Sequence, residues 1–148
     1  MSLTKFGIVI FVLLAGLAGY GMSFQIEKAF DWQHFLVLIG GLYFLSSGSL
    51  SLNQVQEYKM DRIMLRTAKR PVAANKITPA AAFVLSLMFL LSGLELLRKT
   101  SLLCWGLGLS IVVLYNGIYT YIWKPRWRFA AIPGAIPGAL PVVIGYAA

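Results

Sequence analysis

The order of apolar and polar positions divides the chain into five apolar runs separated by short polar stretches. The runs are Phe6–Phe24, Phe35–Leu52, Pro79–Leu97, Leu102–Trp123 and Phe129–Ala148. Each holds about 18–22 residues, and a membrane-spanning helix needs roughly 20. The second run continues without a breaker past Leu52 until Arg70 meets Pro71. A residue before proline is steered away from helical backbone, so this helix is expected to run from Phe35 to about Lys69. Thr78 followed by Pro79 reads as an N-cap with proline at the first helical position, which starts the third helix after a loop over Val72–Lys76. The tight Leu97–Leu102 connector predicts an antiparallel hairpin of helices three and four. The expected elements are therefore helices near 6–24, 35–69, 79–97, 102–123 and 129–148. They form one all-α, polytopic membrane bundle of about five transmembrane helices.

Composition strengthens this picture. Of 148 residues, 59% are hydrophobic and 12% charged, against about 25% charged in soluble domains. The mean hydropathy is +0.76. The first run is longer than the roughly 7–15 residues of a signal-peptide core, which favours a retained anchor. Phe30 and Trp32 in the first connector suit a membrane interface. The fifth run carries prolines at 133, 137 and 141 and a Gly134–Gly138 pair. It reads as a kinked helix packed through small residues, or as a wall that bends around a cavity. Cys104 lies in an apolar run and reads as a packing residue. The lone His34 excludes haem ligation by a histidine pair within this sequence.

The formal charge of +8 invites a nucleic-acid reading, but its placement argues against one. Ten of the thirteen cations fall on one side of the expected layout: Lys5, Lys59, Arg62, Arg66, Lys69, Arg70, Lys76, Lys124, Arg126 and Arg128. Lys28, Arg98 and Lys99 fall on the other. By the positive-inside rule, the amino terminus and the Asn53–Lys76 segment face the cytoplasm. A bacterial inner membrane fits this layout.

Topology does not explain the acids within the main basic cluster. Asn53, Glu57 and Asp61 are four apart, which places them on one stripe of a helix. An amide and two carboxylates at that spacing suit Mg²⁺, which takes one or two carboxylates and fills its shell with water and phosphate oxygens. Arg66 and Arg70 follow, and guanidinium forks match phosphate geometry. Spacing alone equally allows a solvated helix end on which Glu57 pairs with Lys59 or Arg62.

The order Asn-Gln-x-x-Glu-x-x-x-Asp-x-x-Met-x-Arg-Thr-x-x-Arg-Pro over Asn53–Pro71 resembles the first acidic motif of the intramembrane (UbiA-type) prenyltransferase superfamily. Gln54 after Asn53 is most similar to the protoheme IX farnesyltransferase (haem O synthase) branch. Three weaker segments agree with it: the loop after Pro71, Tyr119-Thr120 followed by Lys124, and Gly134-Ala135 to Pro141. The resemblance implies the first half of a nine-helix fold. It also implies an enzyme that transfers a farnesyl group from farnesyl diphosphate to haem b. Asn53, Glu57 and Asp61 would be the catalytic, Mg²⁺-holding residues, and Arg66, Arg70 and Lys124 would bind the substrate diphosphate. Tyr43, Tyr115, Asn116 and Tyr119 are candidates to line a cavity that shields an allylic cation. The implied partners are an isoprenoid diphosphate, haem b or another aromatic acceptor, and the lipid bilayer, with no nucleic acid.

The family's second acidic motif has no counterpart here, since Glu27, Asp31 and Glu95 are scattered. Together with the bare end at Ala148, this leads to the expectation of a shortened product, or of a second half or partner chain that completes the site. Other readings are prenylation of a quinone precursor or lipid, a non-catalytic membrane subunit that retains the motif, and half of a transporter.

Overall fold

The computed structural model describes residues 6–23, 30–124 and 131–148. Its elements are α1 (Phe6–Ser23), α2 (Trp32–Ile63), α3 (Pro79–Thr100), α4 (Leu102–Val112), a π-helical segment (Val113–Trp123) that continues α4, and α5 (Ala131–Ala147). Residues 129 and 130, expected at the start of the fifth helix, lie outside the described residues. The all-α bundle is as the sequence predicts. Among the described residues, four helices are long and apolar enough to cross a membrane: Phe6–Ser23, Trp32–Ile63, Pro79–Thr100 and Leu102–Ile122. Ala135–Ala147 is a shorter apolar helix. The chain is an integral membrane protein.

In lipid, helices gain little from hydrophobic burial against one another, so close packing and interhelical hydrogen bonds hold them together. The core is built by Leu38, Leu42, Leu45, Leu90, Leu97, Cys104 and Ile144. Helices α2 and α3 pair antiparallel, with Gly41 against Leu97 and Gly48 against Leu90. Cys104 is a buried packing residue whose Sγ lies 3.5 Å from the Ile144 carbonyl oxygen. Helices α1 and α5 meet backbone to backbone: a β-carbon at Gly145 would strike the Gly16 carbonyl, and one at Gly19 the Val142 carbonyl. The close approach of the fifth helix is thus at Gly145. A β-carbon at Gly138 would meet nothing.

Two boundaries of α2 differ from the sequence expectation. The helix begins at Trp32, because the Asp31 carboxylate caps it by accepting from the His34 amide at 3.0 Å. It ends at Ile63 rather than near Lys69, with Met64 already extended. Turns then carry the chain to Thr78, held by Thr67 N–H to Met64 O at 3.0 Å and Arg70 N–H to Thr67 O at 2.9 Å. The break has an electrostatic reason. Nine residues of uninterrupted helix would put Arg70 about 13 Å beyond Asp61 and on the opposite side. Breaking at Met64 brings the two into contact. Thr78 caps α3 as expected, accepting from the Ala81 amide at 3.2 Å with Pro79 in the first turn.

With 32 residues, α2 is about 48 Å long, well beyond a hydrocarbon core of about 30 Å. Its final third therefore projects as a polar extension, and the candidate site lies there.

Candidate functional site

Asn53, Glu57 and Asp61 share one face of α2 and are largely withdrawn from solvent. The Asn53 amide Nδ2 donates to Glu57 Oε2 at 3.2 Å. One guanidinium nitrogen, Arg70 Nη1, bridges the acids, 2.6 Å from Asp61 Oδ2 and 3.5 Å from Glu57 Oε2. Glu57 Oε1 accepts from Lys124 Nζ, which reaches across from the end of the π segment. Thr67 Oγ1 donates to the Asp61 carbonyl at 3.3 Å and fastens the turn that returns Arg70. The solvated alternative, with Glu57 paired to Lys59 or Arg62, is not what forms. Arg62 instead bonds Asn75 Oδ1 and lies 5.1 Å over the Tyr58 ring.

Behind the acids is a polar ladder that links α2 to the π segment. Asn116 Nδ2 donates to Ser49 O at 2.9 Å, and Ser49 Oγ bonds Asn116 Oδ1. Thr120 Oγ1 lies 3.2 Å from Asn53 Oδ1, and Lys124 meets Glu57. Each of these rungs joins residues 67 apart, so the two helices run parallel in fixed register. The π segment helps to keep that register. Positions four apart in an α-helix overshoot one turn by about 40°, whereas in the wider i→i+5 helix they fall short of one turn. The opposite drifts allow both stripes to stay face to face over three rungs. Gln56 adds a bracket, donating from Nε2 to Asn116 O at 2.9 Å.

A cavity of about 450 Å³ opens over this surface, lined by α2, the turn after it and the end of the π segment. Glu57, Asp61, Arg66, Thr67, Arg70 and Lys124 supply its charged and polar wall together with Gln56 and Thr120, and Met60, Met64 and Tyr121 supply its apolar wall. Two carboxylates face three cations, an arrangement that favours an anion accompanied by a metal. Arg66 is exposed on this wall, without a carboxylate partner among the described residues. No three His, Cys, Asp or Glu side chains cluster among the described residues. A metal here would have two carboxylates and one amide oxygen from the protein, a hard oxygen set that leaves room for phosphate oxygens and fits Mg²⁺. Arg70 Nη1 already places one cationic group between the two acids.

Other sequence candidates are placed differently. Asn116 is buried and spent on Ser49 and Gln56, so it ties helices together rather than facing the cavity. Tyr115 and Tyr119 stack on each other, with centroids 5.8 Å apart and planes 10° apart, beside rather than on the lining. Tyr43 is not brought to the site. It is exposed, with its ring against Phe44, ten residues before Asn53 and thus about 15 Å along α2. Among the described residues, none from α5 is in the lining. Sequence reading gave no role to Gln56, Thr67 or Thr120. A signal for Thr120 was present in the four-residue spacing Asn116–Thr120–Lys124, which repeats that of Ser49–Asn53–Glu57.

The model of the UbiA prenyltransferase family matches residues 9–148. The chain belongs to this family. Among curated proteins, it is 62% identical over 146 residues to a protoheme IX farnesyltransferase of Bdellovibrio bacteriovorus, covering 99% of this chain and 50% of that protein. A protoheme IX farnesyltransferase of Flavobacterium johnsoniae is 32% identical over 147 residues, covering 99% and 49%. The chain thus spans about half the length of these relatives. Among solved structures, a UbiA homologue from Archaeoglobus fulgidus bound to GPP and Mg²⁺ superposes with a TM-score of 0.73 at 20% identity, over 97% of this chain and 50% of that one. That likeness establishes the UbiA fold for the helices described above.

Proposed function

We propose that this chain forms the first half of a prenyltransferase site that transfers a farnesyl group from farnesyl diphosphate to haem b. The observation that carries the proposal is Arg70 bridging two buried carboxylates at the wall of a cavity that also presents Arg66 and Lys124. A buried Glu–Asp pair four residues apart is costly unless a cation sits on it. Here Arg70 and Lys124 fill that role, and a Mg²⁺–diphosphate would do so during turnover.

In this reading, Asn53, Glu57 and Asp61 would hold Mg²⁺, and the cation would supply charge neutralisation to the diphosphate leaving group. Arg66, Arg70 and Lys124 turn to the phosphate oxygens and stabilise the charge that develops as diphosphate leaves. Met60, Met64 and Tyr121 keep water from the allylic cation until the π electrons of an acceptor vinyl group form the new C–C bond. The positive charge left on the acceptor side chain is then quenched by water, with loss of one proton. Haem b as acceptor is supported by the names of the similar proteins. The cation bias supports a site on the cytoplasmic side of a bacterial inner membrane.

The test is prenyl transfer itself. Membranes that hold this chain with the carboxy-terminal half of the Bdellovibrio relative are given farnesyl diphosphate, haem b and Mg²⁺. Farnesylated haem is the expected product, and its absence would sink the reading.

A further inference from the structure

Thr120 Oγ1 has one proton and two acceptors in reach: the Tyr115 carbonyl at 2.8 Å and Asn53 Oδ1 at 3.2 Å. It can serve only one of them at a time. While it serves Asn53 Oδ1, the Asn53 Nδ2 is free to donate to Glu57 Oε2, as observed. That arrangement turns an N–H toward the acids and leaves no amide oxygen there for a divalent cation. When the proton goes to Tyr115 O, the hydroxyl becomes an acceptor. The Asn53 carboxamide then rotates, donates from Nδ2 to Thr120 and turns Oδ1 toward Glu57. The first state satisfies the amide without a metal. The second sets two acceptors, Asn53 Oδ1 and the Glu57 carboxylate, side by side and so calls for a cation between them.

We propose that Thr120 is a positioning residue for the metal stripe: its hydroxyl, backed by the Tyr115 carbonyl, is the pivot on which the Asn53 amide turns from donor to Glu57 into oxygen ligand for a divalent cation. The π segment is part of the device. Its i→i+5 geometry sets Thr120 over Tyr115 O, and its register with α2 sets Thr120 over Asn53. Serine preserves both roles of the hydroxyl. Valine has the same shape and neither role.

The proposal rests on the metal-site reading, and one experiment separates the two. Mn²⁺ binding to the purified chain in lipid nanodiscs is followed by electron paramagnetic resonance with inorganic pyrophosphate present. Thr120→Val is expected to weaken Mn²⁺ about tenfold, the usual loss when the partner of a metal ligand is removed. Thr120→Ser is expected to bind as the unaltered chain does. In an Asn53→Asp background the ligand needs no orienting, so Thr120→Val is expected to cost less than about twofold there. Equal binding by Thr120→Val, or an equal penalty in the Asn53→Asp background, overturns the positioning role. If Glu57→Gln and Asp61→Asn leave Mn²⁺ binding unchanged, the metal site itself falls, and Thr120 with it.

Discussion

Arg70 Nη1 lies 2.6 Å from Asp61 Oδ2 because the helix that carries Asp61 breaks at Met64 and the chain folds back. Both side chains are buried, at 11% and 5% exposure. Removing one partner of such a pair leaves an uncompensated charge and costs about 3–5 kcal/mol. Arg70→Ala should therefore lower the melting temperature of the chain in chelator. If the acids are a cation site, Mg²⁺ should restore more stability to Arg70→Ala than it adds to the unaltered chain. Equal Mg²⁺ effects on both would show that the acids serve Arg70 alone.

Lys124 should behave differently. It is about half exposed where it meets Glu57, and exposed ion pairs contribute roughly 0–1 kcal/mol. Lys124→Ala is expected to change thermal stability little but to weaken pyrophosphate binding measured by calorimetry. A large stability loss with unchanged anion binding would make Lys124 a structural residue.

How much of this was legible in the sequence depended on which forces each signal reports. Apolar runs reveal segments that belong in lipid, so the helices could be found. Thr78-Pro79 carries its own capping chemistry and fixed the start of α3. The break at Met64 could not be read, because Leu65, Arg66, Thr67 and Ala68 are all compatible with a helix. The fold-back there is held by tertiary contacts that propensity does not report, Arg70 on Asp61 and the Thr67 hydroxyl on the Asp61 carbonyl. The same limit applied to the start of α2, where hydropathy marks Phe35 but the Asp31 cap adds a turn outside the apolar run. The stripe of Asn53, Glu57 and Asp61 was visible as spacing within one helix. The matching spacing Asn116–Thr120–Lys124 was also present, but its pairing with the first stripe could not be read, because the π geometry that brings the two into register has no signature of its own in residue types.

The glycines on α1 and α5 set a packing prediction. Gly145→Val should drive side-chain atoms into the Gly16 carbonyl and cost at least about 1–3 kcal/mol. Gly138→Ala meets open space and should be nearly neutral. Thermal melting of both variants in the same detergent checks the contrast. Similar losses at the two positions would show that α5 packs through Gly138 as well.

The divalent cation should be inseparable from substrate binding. Asp61→Asn removes one acidic ligand and the partner of Arg70 together, and is expected to lower farnesyl transfer more than about a hundredfold. Calorimetric titration of farnesyl diphosphate into the chain, in nanodiscs with and without Mg²⁺, is the most direct measurement. Tight binding that requires Mg²⁺ and is lost in Asp61→Asn is the expected result. Binding that is equally tight in chelator, or untouched by Asp61→Asn, would contradict a metal–diphosphate site on α2.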